Sequence, residues 1–208
     1  MKTFFTSLFS LFFYFSVISQ TTTEFYASGN KKAEGISIKQ GKWIFYYEDG
    51  QKESEGYYKN GLKDSSWTWW DENGKIQKQG SYKNDVEDKK WITYYPNGIM
   101  KENSEFKNAK KNGIWTYYYD TGEKEREENY VDDKKVGAWK MWYNTKQLKS
   151  EGNYENNEKI GKWTTFHWNG KKESEGEYKN GKQDGVWTKW DENGEIVERA
   201  NYNNGRRQ

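Results

Sequence analysis

Aromatic residues recur along this chain in three columns that keep a constant step. Tryptophan stands at positions 43, 67, 91, 115, 139, 163 and 187, always 24 residues apart. Three residues later comes a second ring, as Tyr46, Trp70, Tyr94, Tyr118, Trp142, Phe166 and Trp190. Fifteen residues after each tryptophan comes a third, as Tyr58, Tyr82, Phe106, Tyr130, Tyr154, Tyr178 and Tyr202. A fixed period in this range marks a supersecondary unit copied head to tail, each copy resting on its neighbours. Residues 41–208 hold seven units of 24, and Gly29 to Gly35 reads as a shortened copy of Gly50 to Gly56. The organisation expected is therefore a partial repeat or cap over 20–40 and seven repeats over 41–208.

Within a unit the pattern is that of a β-hairpin. Trp43-Ile-Phe-Tyr-Tyr47 is aromatic and β-branched, as strands prefer, and runs into an Asp-Gly pair that is Asn-Gly in other copies, such as Asn73-Gly74 and Asn193-Gly194. These pairs suit a two-residue type I′ turn. With Asp49 and Gly50 as that turn, Glu48 faces Gln51, Trp43 faces Gly56 and Gly41 faces Tyr58. Each ring then lies across from a glycine whose bare backbone it can cover. Alternation places Trp43 and Tyr58 on one face and Tyr46 on the other. A second turn near Leu62 sets Tyr58 opposite Trp67. The fold class is all-β: an elongated, twisted antiparallel meander of about 14 strands, roughly 65 Å long, with an aromatic ladder on one face. A propeller blade needs four strands and about 40 residues, which a 24-residue unit does not supply.

The first nineteen residues are a different material. Lys2 is followed by an apolar run from Phe4 to Ile18, the pattern of a secretory signal peptide over 1–19 with cleavage after Ser19. The run is shorter than the roughly 20 residues a spanning helix requires. The expected product is an exported chain, secreted, periplasmic or at the cell surface, with no transmembrane helix and a monomeric state.

Composition narrows the chemistry. Beyond residue 20 there are sixteen Ile, Leu and Val, while only seven of the 39 aromatics lie before that point. A compact globule needs more aliphatic residues, so the rings must cover the sheet. The formal net charge of +2 falls to +1 without Lys2, which argues against nucleic acid as the partner. There are no cysteines, hence no disulfide, thiolate or Cys-ligated metal. The one histidine, His167, shares its column with Tyr47, Asp71, Tyr95, Tyr119, Tyr143 and Asp191, as a replaceable strand-end residue does. Asp71-Glu-Asn-Gly74 and Asp191-Glu-Asn-Gly194 fail the spacing of a calcium loop and suit turns. No phosphate loop or Ser nucleophile elbow is present. The expectation is a non-enzyme without cofactor or metal.

Gly161-Lys-Trp-Thr-Thr-Phe-His-Trp-Asn-Gly170 followed by Glu175-Gly-Glu-Tyr-Lys-Asn-Gly181 resembles the MORN repeat in its bacterial variant form. The resemblance spans nearly all of the chain beyond the leader and implies stacked hairpins used in protein scaffolding or attachment to lipid. It also carries the label of toxin–antitoxin antitoxins, the alternative reading of function. Asp85, Ala109, Asp133 and Asn157 depart from the motif where Gly61 and Gly181 keep it. Trp-rich choline-binding cell-wall repeats are a second, poorer likeness because their glycine spacing differs.

The candidate binding residues are the ladder itself: Trp43, Tyr58, Trp67, Tyr82, Trp91, Phe106, Trp115, Tyr130, Trp139, Tyr154, Trp163, Tyr178, Trp187 and Tyr202. Rings left partly open can stack on a protein partner or on an envelope lipid or glycan. Residues Gly50 to Ile76 also match Gly170 to Ile196 at 19 of 27 positions, which predicts two similar patches five units apart.

Overall fold

The computed structural model describes residues 20–36 and 39–208. The leader sequence read over 1–19 lies outside them. Every strand pairs antiparallel with its neighbour in sequence, in one open sheet. The seven repeats supply fourteen strands from Gln40–Tyr46 to Ile196–Asn203, two of them interrupted, at Asn112 and Val136. Thr21–Phe25 and Lys31–Ile36 form a hairpin in front of them, and Arg206–Arg207 begins another strand at the far side.

The strand register is as expected: Trp43 pairs with Gly56, Trp67 with Gly80 and Trp163 with Gly176. The ring does not cover that glycine, however. It leans back over the preceding hairpin, where a Cβ placed on Gly56 would lie 2.1 Å from Trp67 and one on Gly80 2.0 Å from Trp91. In four copies a hydrogen bond runs the same way, the indole N–H of Trp67, Trp115, Trp163 and Trp187 donating to the carbonyl ten residues earlier on that preceding strand, while Trp43 and Trp91 lean alike with their indole N–H unpaired. Each indole thus ties two hairpins together. Burying it removes roughly 200 Å² of mostly apolar surface, about 5 kcal/mol before entropy is counted.

Both turns differ from expectation. At Asp49-Gly50 only the glycine has positive φ; Tyr47 N–H donates to Gln51 O and Gly50 N–H to Tyr47 O. This is a three-residue loop ending in a left-handed glycine. Glu53 bulges out of the return strand, because Tyr46 pairs with Lys52 but Phe45 with Ser54. The bulge restores the register that a two-residue turn would have produced. The aspartate or asparagine suits the loop because its side chain accepts from the backbone N–H two residues on, as Asp49 does from Gln51 and Asn97 from Ile99.

The type I′ turn lies at the second connection, where both Asn60 and Gly61 have positive φ. Tyr58 therefore pairs with Lys63, not Trp67, and Ser65 and Ser66 are extra residues before Trp67 meets Gly56. Glycines recurring at one slot of the repeat, Gly41, Gly113, Gly137, Gly161 and Gly185, occupy this left-handed bulge, which Ser65 and Lys89 also adopt. The motif departures in this turn have a physical account. Asp85, Asp133 and Asn157 sit at positive φ and reach back to accept from the N–H groups of Lys63, Lys111 and Lys135. Ala109, at φ 63°, has no side-chain acceptor to offer.

Two substitutions test this account by denaturant unfolding. Gly80→Ala should destabilise by about 2–3 kcal/mol, since the methyl group meets the buried Trp91 indole. Ala109→Asn should stabilise by about 1 kcal/mol by supplying both a residue tolerant of the left-handed region and the missing acceptor.

Candidate binding surface

Alternation along the strands gives the sheet two unlike faces. The first carries the tryptophan column, the tyrosine column fifteen residues on, and a row two residues after each tryptophan that begins Phe45, Trp69, Thr93, Tyr117. Successive hairpins meet through edge-on rings, with Tyr58–Trp67 at 5.1 Å, Tyr82–Trp91 at 5.0 Å, Tyr154–Trp163 at 5.2 Å and Tyr178–Trp187 at 5.1 Å. In the first copies a flat stack runs beside them, Phe45 on Trp67 at 6.2 Å and Trp69 on Trp91 at 5.8 Å. Six of the seven candidate tryptophans are only 1–7 % exposed, and Trp139 alone is half-buried. Tyr58 and Tyr130 are buried, while Tyr82, Phe106, Tyr154, Tyr178 and Tyr202 are half-buried.

Lysines complete the covering of the indoles. In four copies the lysine four before the tryptophan projects over it: Lys39 Nζ lies 5.7 Å from the Trp43 ring, Lys63 Nζ 4.7 Å from Trp67 and 5.2 Å from Tyr82, and Lys111 and Lys159 lie 4.1 and 4.0 Å from Trp115 and Trp163. Where Glu87 takes that place, Lys78 crosses from the neighbouring strand, 4.2 Å from Trp91 and 3.1 Å from the Glu87 carboxylate. Burial among the rings pushes the Lys63 and Lys159 ammonium pKa values down. Neither the row two after tryptophan nor these lysines was singled out from sequence, although both hold the same 24-residue step.

The ladder changes at Glu128. This residue holds the slot that is Gly56, Gly80, Gly152 or Gly176 in other copies, and it is 3 % exposed. Trp139 cannot lie flat on it and instead donates its indole N–H to the carboxylate at 3.1 Å. Tyr130 Oη donates at 2.7 Å, Lys135 Nζ at 2.8 Å, and Arg126 Nε lies 3.4 Å away. Burial works to raise the Glu128 carboxyl pKa, but the hydrogen bonds from Lys135 and Tyr130 and the Arg126 charge outweigh it and hold it below the ordinary value. Burial, then the bond to Glu128, pushes the Tyr130 phenol up. Scanning the glycine column for its one charged member would have found the site.

The second face carries Tyr46, Trp70, Tyr94, Tyr118, Trp142, Phe166 and Trp190, all half-buried. Four of them, Tyr46, Trp70, Trp142 and Trp190, are flanked by a lysine from the preceding return strand. Lys52, Lys124 and Lys172 lie 5.6, 5.7 and 5.6 Å from Trp70, Trp142 and Trp190. The same lysines bind Glu55, Glu127 and Glu175 at 2.8, 2.7 and 2.6 Å. Ala138, small in a column that holds Lys42, Lys90 and Lys162, opens a depression of about 390 Å³ on this face beside Lys140, Glu151, Thr164 and Phe166. The two matching segments resemble each other here, in Lys52–Glu55–Trp70 and Lys172–Glu175–Trp190. On the first face they differ, Trp69 answering to Lys189 and Lys63 to Gln183.

His167 closes an edge of the array. Tyr47, Tyr95, Tyr119 and Tyr143 each donate a hydroxyl to the carbonyl 23 residues on, and His167 Nε2 takes that role toward Trp190 O at 2.9 Å. Among the described residues no three His, Cys, Asp or Glu side chains are grouped to hold a metal, and no helix is long and apolar enough to cross a membrane.

Comparison with protein families matches the MORN repeat variant to residues 39–60, 63–84, 87–108, 111–132, 135–156, 159–180 and 183–204. No curated protein matches this chain. Among solved structures, a GtfA/B complex bound to UDP and GlcNAc is similar at 13 % identity and a TM-score of 0.23; the match covers 66 % of this chain and 24 % of that one. At that score the likeness carries no argument.

Two measurements probe the polar features. Because the Glu128 pKa is depressed in the folded state, its contribution is fully present above the ordinary carboxyl pKa and is lost as pH falls through the folded value. The wild type should therefore lose more stability than Glu128→Gln between pH 5 and pH 3 in thermal melts. His167→Ala should cost about 1 kcal/mol of local stability, seen as faster amide exchange near Trp190, and His167→Tyr should restore it.

Proposed function

The chain belongs to the MORN repeat variant family, whose repeats generally serve as binding or scaffolding units, and from that premise we propose that it is an exported, non-enzymatic array that holds a protein partner along its second face. The observation that carries this reading is the division of labour between the faces. On the first, the indoles are spent on joining hairpins and are covered by lysine and tyrosine. On the second, a ring stands half-open in every copy.

Ion pairs alternate with those rings, so apolar area is broken into separate spots about 10 Å apart, two strand spacings. Such a mixed surface suits a protein with matching charges better than a lipid layer or a nucleic acid. Ring area supplies contact and the Lys–Glu pairs supply register. Export follows the leader pattern of residues 1–19.

The test uses the chain from Gln20 as bait in an envelope extract, followed by affinity measurements on the captured protein. Trp70→Ala should weaken binding about fivefold, and Trp70→Ala with Tyr94→Ala and Tyr118→Ala about a hundredfold, as distributed contact requires. If the loss follows Phe45, Trp69 and Tyr117 instead, the second face is the wrong surface. Retention on liposomes or cell-wall glycan with no protein captured would replace the partner class.

A further inference from the structure

On the second face a lysine and, three residues on, a glutamate recur as a pair. Lys31–Glu34, Lys52–Glu55, Lys124–Glu127 and Lys172–Glu175 stand at 2.7, 2.8, 2.7 and 2.6 Å. Where an apolar residue replaces the lysine, the glutamate goes with it: Ile76 is followed by Gln79, Met100 by Asn103 and Ile196 by Arg199. A half-buried carboxylate without a cation is costly, which accounts for the coupling. One hairpin departs from it, since Leu148 is followed by Glu151.

The other groups that hold this row of side chains are changed at Glu151 as well. Glu55 and Glu175 each take a second lysine from the outgoing strand of their own hairpin, Lys42 at 3.2 Å and Lys162 at 3.0 Å. Beside Glu151 that slot holds Ala138, and the depression of about 390 Å³ lies where the longer side chain is cut to a methyl. From the hairpin that follows, Tyr46 donates its hydroxyl to Glu34, and Tyr94 to Gln79 at 3.1 Å; the ring that answers to them beside Glu151 is Phe166, which has no hydroxyl. Among the described residues the one lysine paired with Glu151 is Lys140, at 3.8 Å. The Glu151 side chain is accordingly 41 % exposed, against 24 % for Glu55 and 22 % for Glu175. Lys162 and Lys172 also border the depression, but Glu175 holds both. Two lysines to one carboxylate is the arrangement at Glu55 and at Glu175, so Glu151 with Lys140 has a place for one more cation.

We propose that the Ala138 depression is a socket for a lysine or arginine side chain of the protein partner. The incoming charge stands against Glu151 as Lys42 stands against Glu55, and its aliphatic stem lies along the Ala138 methyl and the Phe166 ring. The array thus leaves to the partner a cation that it supplies to itself in other copies, and the contact fixes which copy the partner engages. The inference deepens the partner-binding reading and rests on it for the source of the cation.

A small cation tests the socket without the partner. Butylammonium titrated into the isotopically labelled protein should give saturable amide shifts at Ala138, Glu151 and Phe166, and butyrate should give none. Glu151→Gln and Ala138→Lys should each abolish the saturable shifts, the second by placing a lysine of the chain where Lys42 stands in its own copy, with no fall in melting temperature. Shifts that survive in Glu151→Gln, that appear equally at Glu55 and Glu175, or that butyrate produces at the same amides would overturn the proposal. With the captured partner, Glu151→Gln and Ala138→Lys should each weaken binding about tenfold. Unchanged affinity in both, while the ring substitutions on the second face still weaken binding, would overturn the socket and leave the partner reading standing. Saturable butylammonium shifts with no protein captured would remove the partner reading, and with it the source assigned to the cation.

Discussion

The contact of an indole with a bare glycine on the preceding strand is the constraint from which the rest of this structure follows. A single sheet has no opposing layer to bury its apolar residues, so the covering group must come from the sheet itself. Tryptophan is wide enough to lie across the neighbouring strand, and a residue without Cβ lets it approach that backbone most closely, as the 2.0–2.3 Å distances show. The ring then needs its own cover, which the tyrosine fifteen residues on and the lysine four residues before supply. Every member of this set is tied to one tryptophan, which is why the 24-residue period is kept without insertion. Because the indole bridges two hairpins, stability resides as much in the joints as in the units.

Where the glycine is replaced, the joint changes its chemistry. Ser104 keeps Trp115 buried, but Glu128 displaces Trp139 and substitutes an ion-paired carboxylate for ring contact. Among the described residues no ring contact joins Tyr130 to Trp139, whereas such contacts join hairpins on either side. The array is thus two stretches of apolar joint separated by a polar one. A buried carboxylate with three donors and a neighbouring guanidinium specifies geometry well and tolerates loss of any donor badly. Local opening of the sheet should begin at this joint, since no tyrosine–tryptophan ring contact crosses it as one does at Tyr82–Trp91 and Tyr154–Trp163.

Much of the fold was legible because two periodicities coincide. The alternation of strands and the 24-residue step together fixed which residues share a face, and the Trp–Gly register followed from turn chemistry. The turn types did not, for a definite reason: a two-residue turn and a three-residue loop with a bulge at Glu53 give the same pairing from Phe45 onward. The pattern contained the distinction only in the second connection, where Asn60-Gly61 is followed by residues that must bulge. The burial of the tryptophans was harder to read. It depends on Phe45, Trp69 and the lysines lying over them, and on the direction in which each ring leans, back over the glycine of the preceding strand.

The two long edges of the sheet bear on how such a surface can bind. At one edge, hydroxyls of Tyr47, Tyr95, Tyr119 and Tyr143 bond to the carbonyl of the next hairpin; at the other, the N–H of Gly61, Asp85, Ala109, Asp133, Asn157 and Gly181 bonds back to the hairpin before. Hairpins are therefore clamped at both ends as well as joined at the centre by indoles. Relative motion between copies is restricted in the direction that would alter the spacing of the half-open rings. A surface already held in its bound arrangement loses little conformational entropy when a partner docks. Modest contacts repeated at a rigid spacing can then add nearly in full, and a partner must present its own sites at that spacing to use them. On the proposed mode of binding, selectivity would reside in geometry, in the interval between rings, more than in the chemistry of any one of them.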